Sequence, residues 1–252
     1  MNKFLLLLLP IILSCKSNIS PIDYSFIQSP EQLNQNIINN IQNSTVVLTQ
    51  ETSDNPNSTL CTAFFISPTL ILTANHCIQL YQNLNNISKS YNLPITFKVN
   101  FFYYSEFISI NQQPSSLHHA TIVKSNPLHD LALLQTEPTE FSNYFIPISQ
   151  QIPQIGIHIR TIGHPKGFNF SYQEGIISQI RLNESFQIYS NNNTLTLSGN
   201  FIQISSPIFP GNSGSPLTNQ SGYLIGLISF TPQLPNTAFA IHLADINNLL
   251  SN

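Results

Sequence analysis

Short apolar runs broken by Asn, Ser and Pro dominate the chain from Thr45 onward. In the clearest of them Ile95, Phe97, Val99, Phe101 and Tyr103 alternate with Thr96, Lys98 and Asn100. Successive side chains of a strand point to opposite faces, so this period of two predicts a half-buried antiparallel strand with the apolar set inward. Runs of the same character are "TVVLT", "TAFFI", "TLILTA", "ATIVK", "LALLQT", "FIPIS", "IGIHIRTIG", "EGIISQI", "FQIYS", "TLTLSG", "NFIQIS", "YLIGLISF" and "AFAIHL". So many short strands between turn residues predict an all-β sandwich or a pair of barrels. Two segments depart from that period. In "SPEQLNQNIINNIQNS", Ser29 stands as N-cap, Pro30 in the first turn and Gln32 at the capping-box position, with Leu33, Ile37 and Ile41 on one face, which predicts a helix. At the other end "ADINNLLSN", with Ile246, Leu249 and Leu250, predicts a closing helix, and the asparagines at 191 to 193 predict a hairpin tip.

The first residues, "MNKFLLLLLPIILSCKS", have a brief basic start and an apolar run from Phe4 to Leu13 that is too short to span a bilayer. Residues 1–14 are therefore expected to be an export signal. The end of that run, "ILSC", resembles a bacterial lipobox, which implies cleavage before Cys15 and a lipid anchor on that thiol; Leu13 is bulkier than the usual residue there, and ordinary secretion is the alternative. Residues 15–40 are expected to hold a tether and the first helix, and residues 41–252 the main body.

Only 8% of the 252 residues are charged, the formal net charge is −3, and the eight Lys and Arg are scattered. That argues against nucleic acid or an anionic membrane surface as the main partner. Of the three cysteines, lipidation would occupy Cys15 and leave Cys61 and Cys77 as a pair. An exported chain meets an oxidising compartment, so a disulfide between them is expected, with two free buried thiols as the alternative.

Candidate chemistry centres on "PGNSGSPL", which sets Ser213 between two of only nine glycines. Alone, such a stretch is equally a surface turn. A serine hydroxyl becomes a nucleophile when a neighbouring base takes its proton, and the base works best when a third group fixes its tautomer. His76 in "LTANHC", at the end of an apolar run, is the candidate base, and Asp130 in "NPLHDLALLQT", one of only eleven acidic residues, is the candidate carboxylate. Gly211 permits a backbone turn that would aim its own N–H and that of Ser213 at one point, an oxyanion hole made by the stretch Gly211, Asn212 and Ser213. His118 and His119 are adjacent and would face opposite ways on a strand, and no Cys/His cluster has zinc spacing, so no metal and no organic cofactor is expected. His242 is expected to be a packed or surface residue and Lys166 a solvated turn residue.

"LTANHC", "HDLALL" and "GNSGSPL", in that order, resemble the His, Asp and Ser blocks of trypsin-like serine proteases of the chymotrypsin fold. "TIGHPKGFNFSYQEGIISQI", "NFIQISSPIFPGNSGSPL" and "AFAIHL" are similar to the HtrA (DegP-like) protease domain and to bacterial glutamyl endopeptidases. The resemblance covers roughly residues 41 to 250. It implies two antiparallel six-stranded β-barrels, with His76 and Asp130 from the first, Ser213 from the second and the site between them. It also implies peptide-bond hydrolysis in protein or peptide substrates.

Several positions depart from the family pattern. HtrA enzymes commonly continue into a peptide-binding PDZ domain, which is not expected here; Ser215 stands where HtrA enzymes carry a second glycine, and Asn212 stands where cleavage-activated relatives carry an aspartate that pairs with a new amino terminus. By analogy the specificity pocket is lined by Ser205 to Phe209, Ser229 to Thr231, Thr237 and Ala238, with Ser229, Phe230 and Thr231 also pairing with substrate backbone. None of these is charged, and the place of the glutamyl endopeptidases' pocket histidine is taken by Ile228, so cleavage after small or medium uncharged residues is expected. A binding or adhesion protein that keeps the fold without turnover, or an enzyme of glutamyl specificity, is the alternative.

Overall fold

The structure is a computed structural model that describes residues 29–251 apart from 51–57, 92–97, 105–106, 109–112, 115, 140, 142, 191–192 and 233. The expected leader at 1–14, Cys15, the tether as far as residue 28, Ile95 and Phe97 lie outside the described residues. No helix among the described residues is long and apolar enough to cross a membrane.

Helix α1 (Pro30–Ser44) starts as its sequence predicts, with Gln32 N–H donating to Ser29 Oγ and Ser29 N–H to Gln32 Oε1. Ile41 is fully buried, but Leu33 is 54% exposed because the first turns overhang the body. Arg160 reaches α1 instead, donating to Asn34 Oδ1 at 2.5 Å.

The body is two closed antiparallel barrels of six strands each. In chain order the first half contains β1 (Thr45–Gln50), β2 (Ser58–Phe65), β3 (Leu70–Ala74), helix α2 (Gln79–Ser90), β4 (Val99–Tyr103), the two-residue pair β5 (Phe107–Ile108) and β6 (Gln113–Pro114), β7 (His118–Asn126) and β8 (Leu131–Gln135). The first barrel closes in the order β1-β2-β3-β8-β7-β4. The second half contains β9 (His158–Gly163), β10 (Ser171–Ser190), β11 (Asn193–Ser205), β12 (Pro216–Asn219), β13 (Leu224–Phe230), β14 (Ala238–His242) and helix α3 (Leu243–Ser251). Its barrel closes in the order β10-β11-β14-β13-β12-β9. Inward aromatic rings fill the first barrel, where Phe65 stacks on Tyr103 at 5.6 Å; branched aliphatic side chains such as Ile177, Ile202, Ile204 and Ile228 fill much of the second.

The strand pattern holds with four corrections. Phe102 is buried like its neighbours Phe101 and Tyr103, because one face of β4 meets the barrel core and the other meets Phe170 of the second half. "EGIISQI" and "FQIYS" are two parts of one strand, β10, and "TLTLSG" and "NFIQIS" two parts of β11. A bulge between Arg181 and Glu184, with Asn183 at φ +54°, interrupts the alternation there and reads in sequence as a turn. "FIPIS" forms only an isolated bridge, Ile148 to Leu224. Helix α2 went unread although Leu80, Tyr81, Leu84 and Ile87 recur at helical spacing among its asparagines; Tyr81 buries its ring and donates its hydroxyl to Thr49 O at 2.7 Å.

Helix α3 closes the chain. The carboxylate of Asp245, 3% exposed, accepts from the backbone and side-chain amides of Asn200 on β11, and His242 Nδ1 accepts the N–H of Ala244 in the first turn.

Candidate active site

β3 delivers His76. Its ladder with β8 ends at Ala74 opposite Leu131, after which residues Asn75–Ile78 turn in a 3-10 helix. The residue before β8, Asp130, lies at φ +52° and is 1% exposed, and its carbonyl accepts the Asn75 N–H at 3.1 Å. This pairing of two strand ends sets the imidazole against the carboxylate. His76 Nδ1 lies 3.0 Å from Oδ1 and 2.9 Å from Oδ2 of Asp130, and the His76 backbone N–H donates to Oδ1 at 2.9 Å. Between an imidazole and a carboxylate the shared proton sits on Nδ1, which leaves Nε2 with its lone pair. Burial alone would lower the His76 pKa, but the charge and hydrogen bond of Asp130 outweigh it and hold the value above 6.5. A third donor reaches the same carboxylate from the second barrel, the Ser229 hydroxyl, 2.5 Å from Oδ2.

Ser213 lies between β11 and β12 in a segment fixed by backbone bonds from both barrels. Its carbonyl accepts the Thr62 N–H at 2.9 Å, Gly214 N–H donates to Ile228 O at 2.7 Å, and Thr62 Oγ1 donates to Gly211 O at 2.8 Å. The Lys166 N–H holds the carbonyl of Pro210 at 2.8 Å. Gly211 has φ +100°, and a Cβ there would stand 2.1 Å from His164 O, so this turn requires glycine on two counts. Among the described residues no protein acceptor takes the Gly211 or Ser213 N–H. The Asn212 N–H instead donates to Phe209 O at 3.1 Å, which corrects its inclusion with the other two. The Asn212 side chain is fully buried and uncharged, with Nδ2 3.3 Å from Gln173 Oε1.

The Ser213 hydroxyl donates to Ser229 O at 3.0 Å, and among the described residues no hydrogen bond joins it to His76. All three side chains nevertheless line one cleft of about 870 Å³ between the barrels. Ile208, Phe209 and Pro210 line it together with Ser229, Phe230 and Thr231. The expected lining needs revision elsewhere. Ser205 is exposed away from the cleft, Ser206 is buried and donates to Glu174 O, and Ala238 is buried in the core of the second barrel. Ile188, Leu195 and Leu197 of the β10–β11 hairpin line the cleft as well.

Cys61 and Cys77 form a disulfide, so although their sulfurs and a His76 nitrogen lie within 4.8 Å of one another, they offer a metal no thiolate. His118 stacks on Phe101 while His119 binds Asn100 Oδ1 at 2.8 Å, so the adjacent pair diverges. His164 is fully buried: its Nδ1 accepts the Phe170 N–H at 2.8 Å and its Nε2 donates to Val46 O of the first barrel at 3.2 Å. Burial drives its pKa down to about 3, against a smaller upward pull from the Val46 carbonyl, so it stays neutral. Lys166 is exposed, with its ammonium 5.0 Å from the Phe209 ring, but its backbone N–H is the part that meets the segment carrying Ser213. The sequence assigned Ser229 to the pocket lining and to substrate backbone but not to the Asp130 carboxylate, and it showed neither the part of Thr62 nor that the predicted hairpin lines the cleft. The alternation Phe186, Ile188 and Leu195, Leu197 was visible, but its direction was not.

A family model described as a trypsin-like peptidase domain matches residues 61–227. Among curated proteins, "Pro-apoptotic serine protease NMA111" of Phaeosphaeria nodorum is 31% identical over 110 residues, covering 42% of this chain and 10% of its own. "Probable periplasmic serine endoprotease DegP-like" of Pseudomonas fluorescens is 33% identical over 110 residues, covering 44% of this chain and 21% of its own. The chain thus matches between a tenth and a fifth of the length of these relatives. Among solved structures, the Rv3671c protease from M. tuberculosis in its active form superposes with a TM-score of 0.62 at 18% identity, covering 88% of this chain and 86% of that one. At that identity the likeness is one of fold.

Proposed function

The chain belongs to the trypsin-like peptidase domain family, and from that premise we propose that it is a serine endopeptidase whose triad is Ser213, His76 and Asp130. The observation that carries the reading is the buried carboxylate of Asp130 bound to Nδ1 of a histidine that keeps the lone pair of its Nε2 and lines the same cleft as Ser213. Ser213 Oγ leaves Ser229 O, gives its proton to His76 Nε2 and bonds to the substrate carbonyl carbon. The carbonyl oxygen, now negative, receives the N–H groups of Gly211 and Ser213. His76 returns the proton to the departing amine as the C–N bond breaks, and a water activated by the same nitrogen then releases the acyl group. Asp130 holds the tautomer throughout and stabilises the imidazolium.

Preference for small or medium uncharged residues at the bond follows from the wall chemistry. Among the described residues, His76 and Asp130 are the ionisable groups on the cleft's lining and are bound to each other, and Ile228 is fully buried in the core. Neither a lysine nor a glutamate would find a counter-charge there. The neutral Asn212 supports activity without a cleavage-generated amino terminus. The reading extends to an exported enzyme, lipid-anchored through Cys15 or secreted, acting on protein substrates; a disulfide and the periplasmic name of one relative are in keeping with it.

The test is labelling by a fluorophosphonate probe and digestion of unfolded casein by wild type, Ser213→Ala and His76→Ala. Wild type alone should label and digest. Inert wild-type protein of intact fold would turn the reading to a binding protein, and equal labelling of Ser213→Ala would overturn the nucleophile. Cut sites confined to glutamate would replace the uncharged preference.

A further inference from the structure

Gly211 joins two peptide planes, and at φ +100° it has no side chain to hold either of them. In a trans peptide the C=O and N–H point opposite ways, so whatever holds the Pro210 carbonyl also aims the Gly211 N–H. That hold is the Lys166 N–H, from the second barrel's own loop, at 2.8 Å. The next plane is held from the first barrel, where the Thr62 hydroxyl on β2 donates to Gly211 O at 2.8 Å. Thr62 also sends its backbone N–H to Ser213 O at 2.9 Å. One residue thus grips the carbonyls of both positions whose N–H groups find no protein acceptor among the described residues. Thr62 is in turn fully buried, its carbonyl accepts the Thr73 hydroxyl at 2.7 Å, and its neighbour Cys61 is bonded to Cys77, next to His76. The close approach of the barrels requires Gly214, where a Cβ would stand 2.0 Å from Thr62 O.

We propose that Thr62, through its hydroxyl, is a positioning residue for the oxyanion hole: from the first barrel it fixes the Gly211 turn of the second, so that the N–H groups of Gly211 and Ser213 converge on the substrate's carbonyl oxygen. Resting on the peptidase reading for its reaction, this role makes oxyanion stabilisation depend on the docking of the two barrels as well as on the loop that carries Ser213. Thr62 does not line the cleft, so it acts through Gly211 and not on the substrate. Donors aimed at a developing charge count for most in the transition state, while a bound substrate with a neutral carbonyl feels their misplacement little. Loss of the hydroxyl therefore falls on kcat and spares KM. The hydroxyl touches neither His76 nor Asp130, so the pH dependence set by that pair stays where it is.

Thr62→Val keeps the shape and the backbone N–H and removes only the donor, whereas Thr62→Ser keeps the donor. On a peptide p-nitroanilide that wild type cleaves, Thr62→Val should lose about tenfold in kcat, short of the roughly 10²–10³ that deleting a whole oxyanion donor costs. Its KM and the acid limb of its pH profile should stay at the wild-type values, and Thr62→Ser should match wild type throughout. Affinity for a peptide aldehyde should fall with kcat, because Ser213 Oγ bonds to the aldehyde carbon and leaves the former carbonyl oxygen in the hole. A wild-type kcat in Thr62→Val, a loss carried by KM, or an equal loss in Thr62→Ser overturns the role. If Thr62→Val does not fold, Thr73→Val, one hydrogen bond further back, should lose about threefold in kcat alone, the low end for one neutral hydrogen bond, and a wild-type kcat there overturns the role as well. Fluorophosphonate labelling separates the two readings. A wild type that fails to label overturns the peptidase reading and this role together, while a labelled wild type with an equally fast Thr62→Val overturns the role alone.

Discussion

Ser229 of the second barrel donates its hydroxyl to Oδ2 of Asp130 in the first, at 2.5 Å, where both groups are buried. The same residue offers its carbonyl to Ser213 Oγ, so one β13 position touches two members of the proposed triad. Ser229→Ala should lower stability by about 1–3 kcal/mol, the range for leaving a buried acceptor short of a donor. It should also slow fluorophosphonate labelling, because the carboxylate loses the contact that orients it. Urea unfolding and labelling rates check the two halves, and a variant as stable and as reactive as wild type would remove Ser229 from this role.

Activity should fall as the pH is lowered through a pKa above 6.5, because His76 must be neutral to accept the serine proton and Asp130 holds its protonated form above the ordinary value. Asp130→Asn should move that acid limb downward and weaken the reaction at every pH. The His76–Asp130 contribution to folding has the opposite pH dependence. The native state binds this proton more tightly than the unfolded chain, so the contribution is present in full below about 6.5 and is lost as pH rises through the folded value. Labelling rates against pH for both proteins are the measurement.

His164 should make the fold acid-sensitive. Its pKa is depressed to about 3, so between about 6.5 and 3 the unfolded chain binds a proton that the native chain does not, and stability falls as the pH is lowered through that range. One such group contributes at most about 1.4 kcal/mol per pH unit. His242, also lowered by burial against an upward pull from Asp245, acts in the same direction. His164→Gln should flatten the dependence of the urea midpoint on pH between 6.5 and 4, while an unchanged slope would place the acid sensitivity elsewhere.

Breaking the Cys61–Cys77 bond, which joins residues 16 apart, should remove about 3 kcal/mol of stability in the chain-entropy account. Cys61→Ser with Cys77→Ser, compared with wild type in urea with and without reductant, provides the test. Reductant should destabilise wild type and leave the double variant unmoved.

The strands and the two terminal helices were legible in the sequence, as were His76, Asp130 and Ser213 as candidates that the structure brings to one cleft, because each rests on local chemistry. Alternation marks a half-buried strand, Ser29 and Gln32 mark a helix start, and glycines on both sides of a serine mark a sharp turn. Where one long strand bulges at Leu182 and Asn183 the local signal misleads, whereas in α2 the helical spacing of Leu80, Leu84 and Ile87 is present but stands among β-type runs.

What the sequence alone determined, then, was the class of fold and the set of candidate residues for the proposed chemistry. Closure of the two barrels decided the rest, because it brings together positions far apart in the chain. Ser229 stands 99 residues from the carboxylate it binds, and His164 donates to a carbonyl 118 residues away. Whether Ile188 and Leu195 face solvent, core or cleft depends on where Phe186 finds its aromatic partners, and those partners come from β11, β13 and β14. A period of two states that one face is apolar; only the packed tertiary structure states what that face meets.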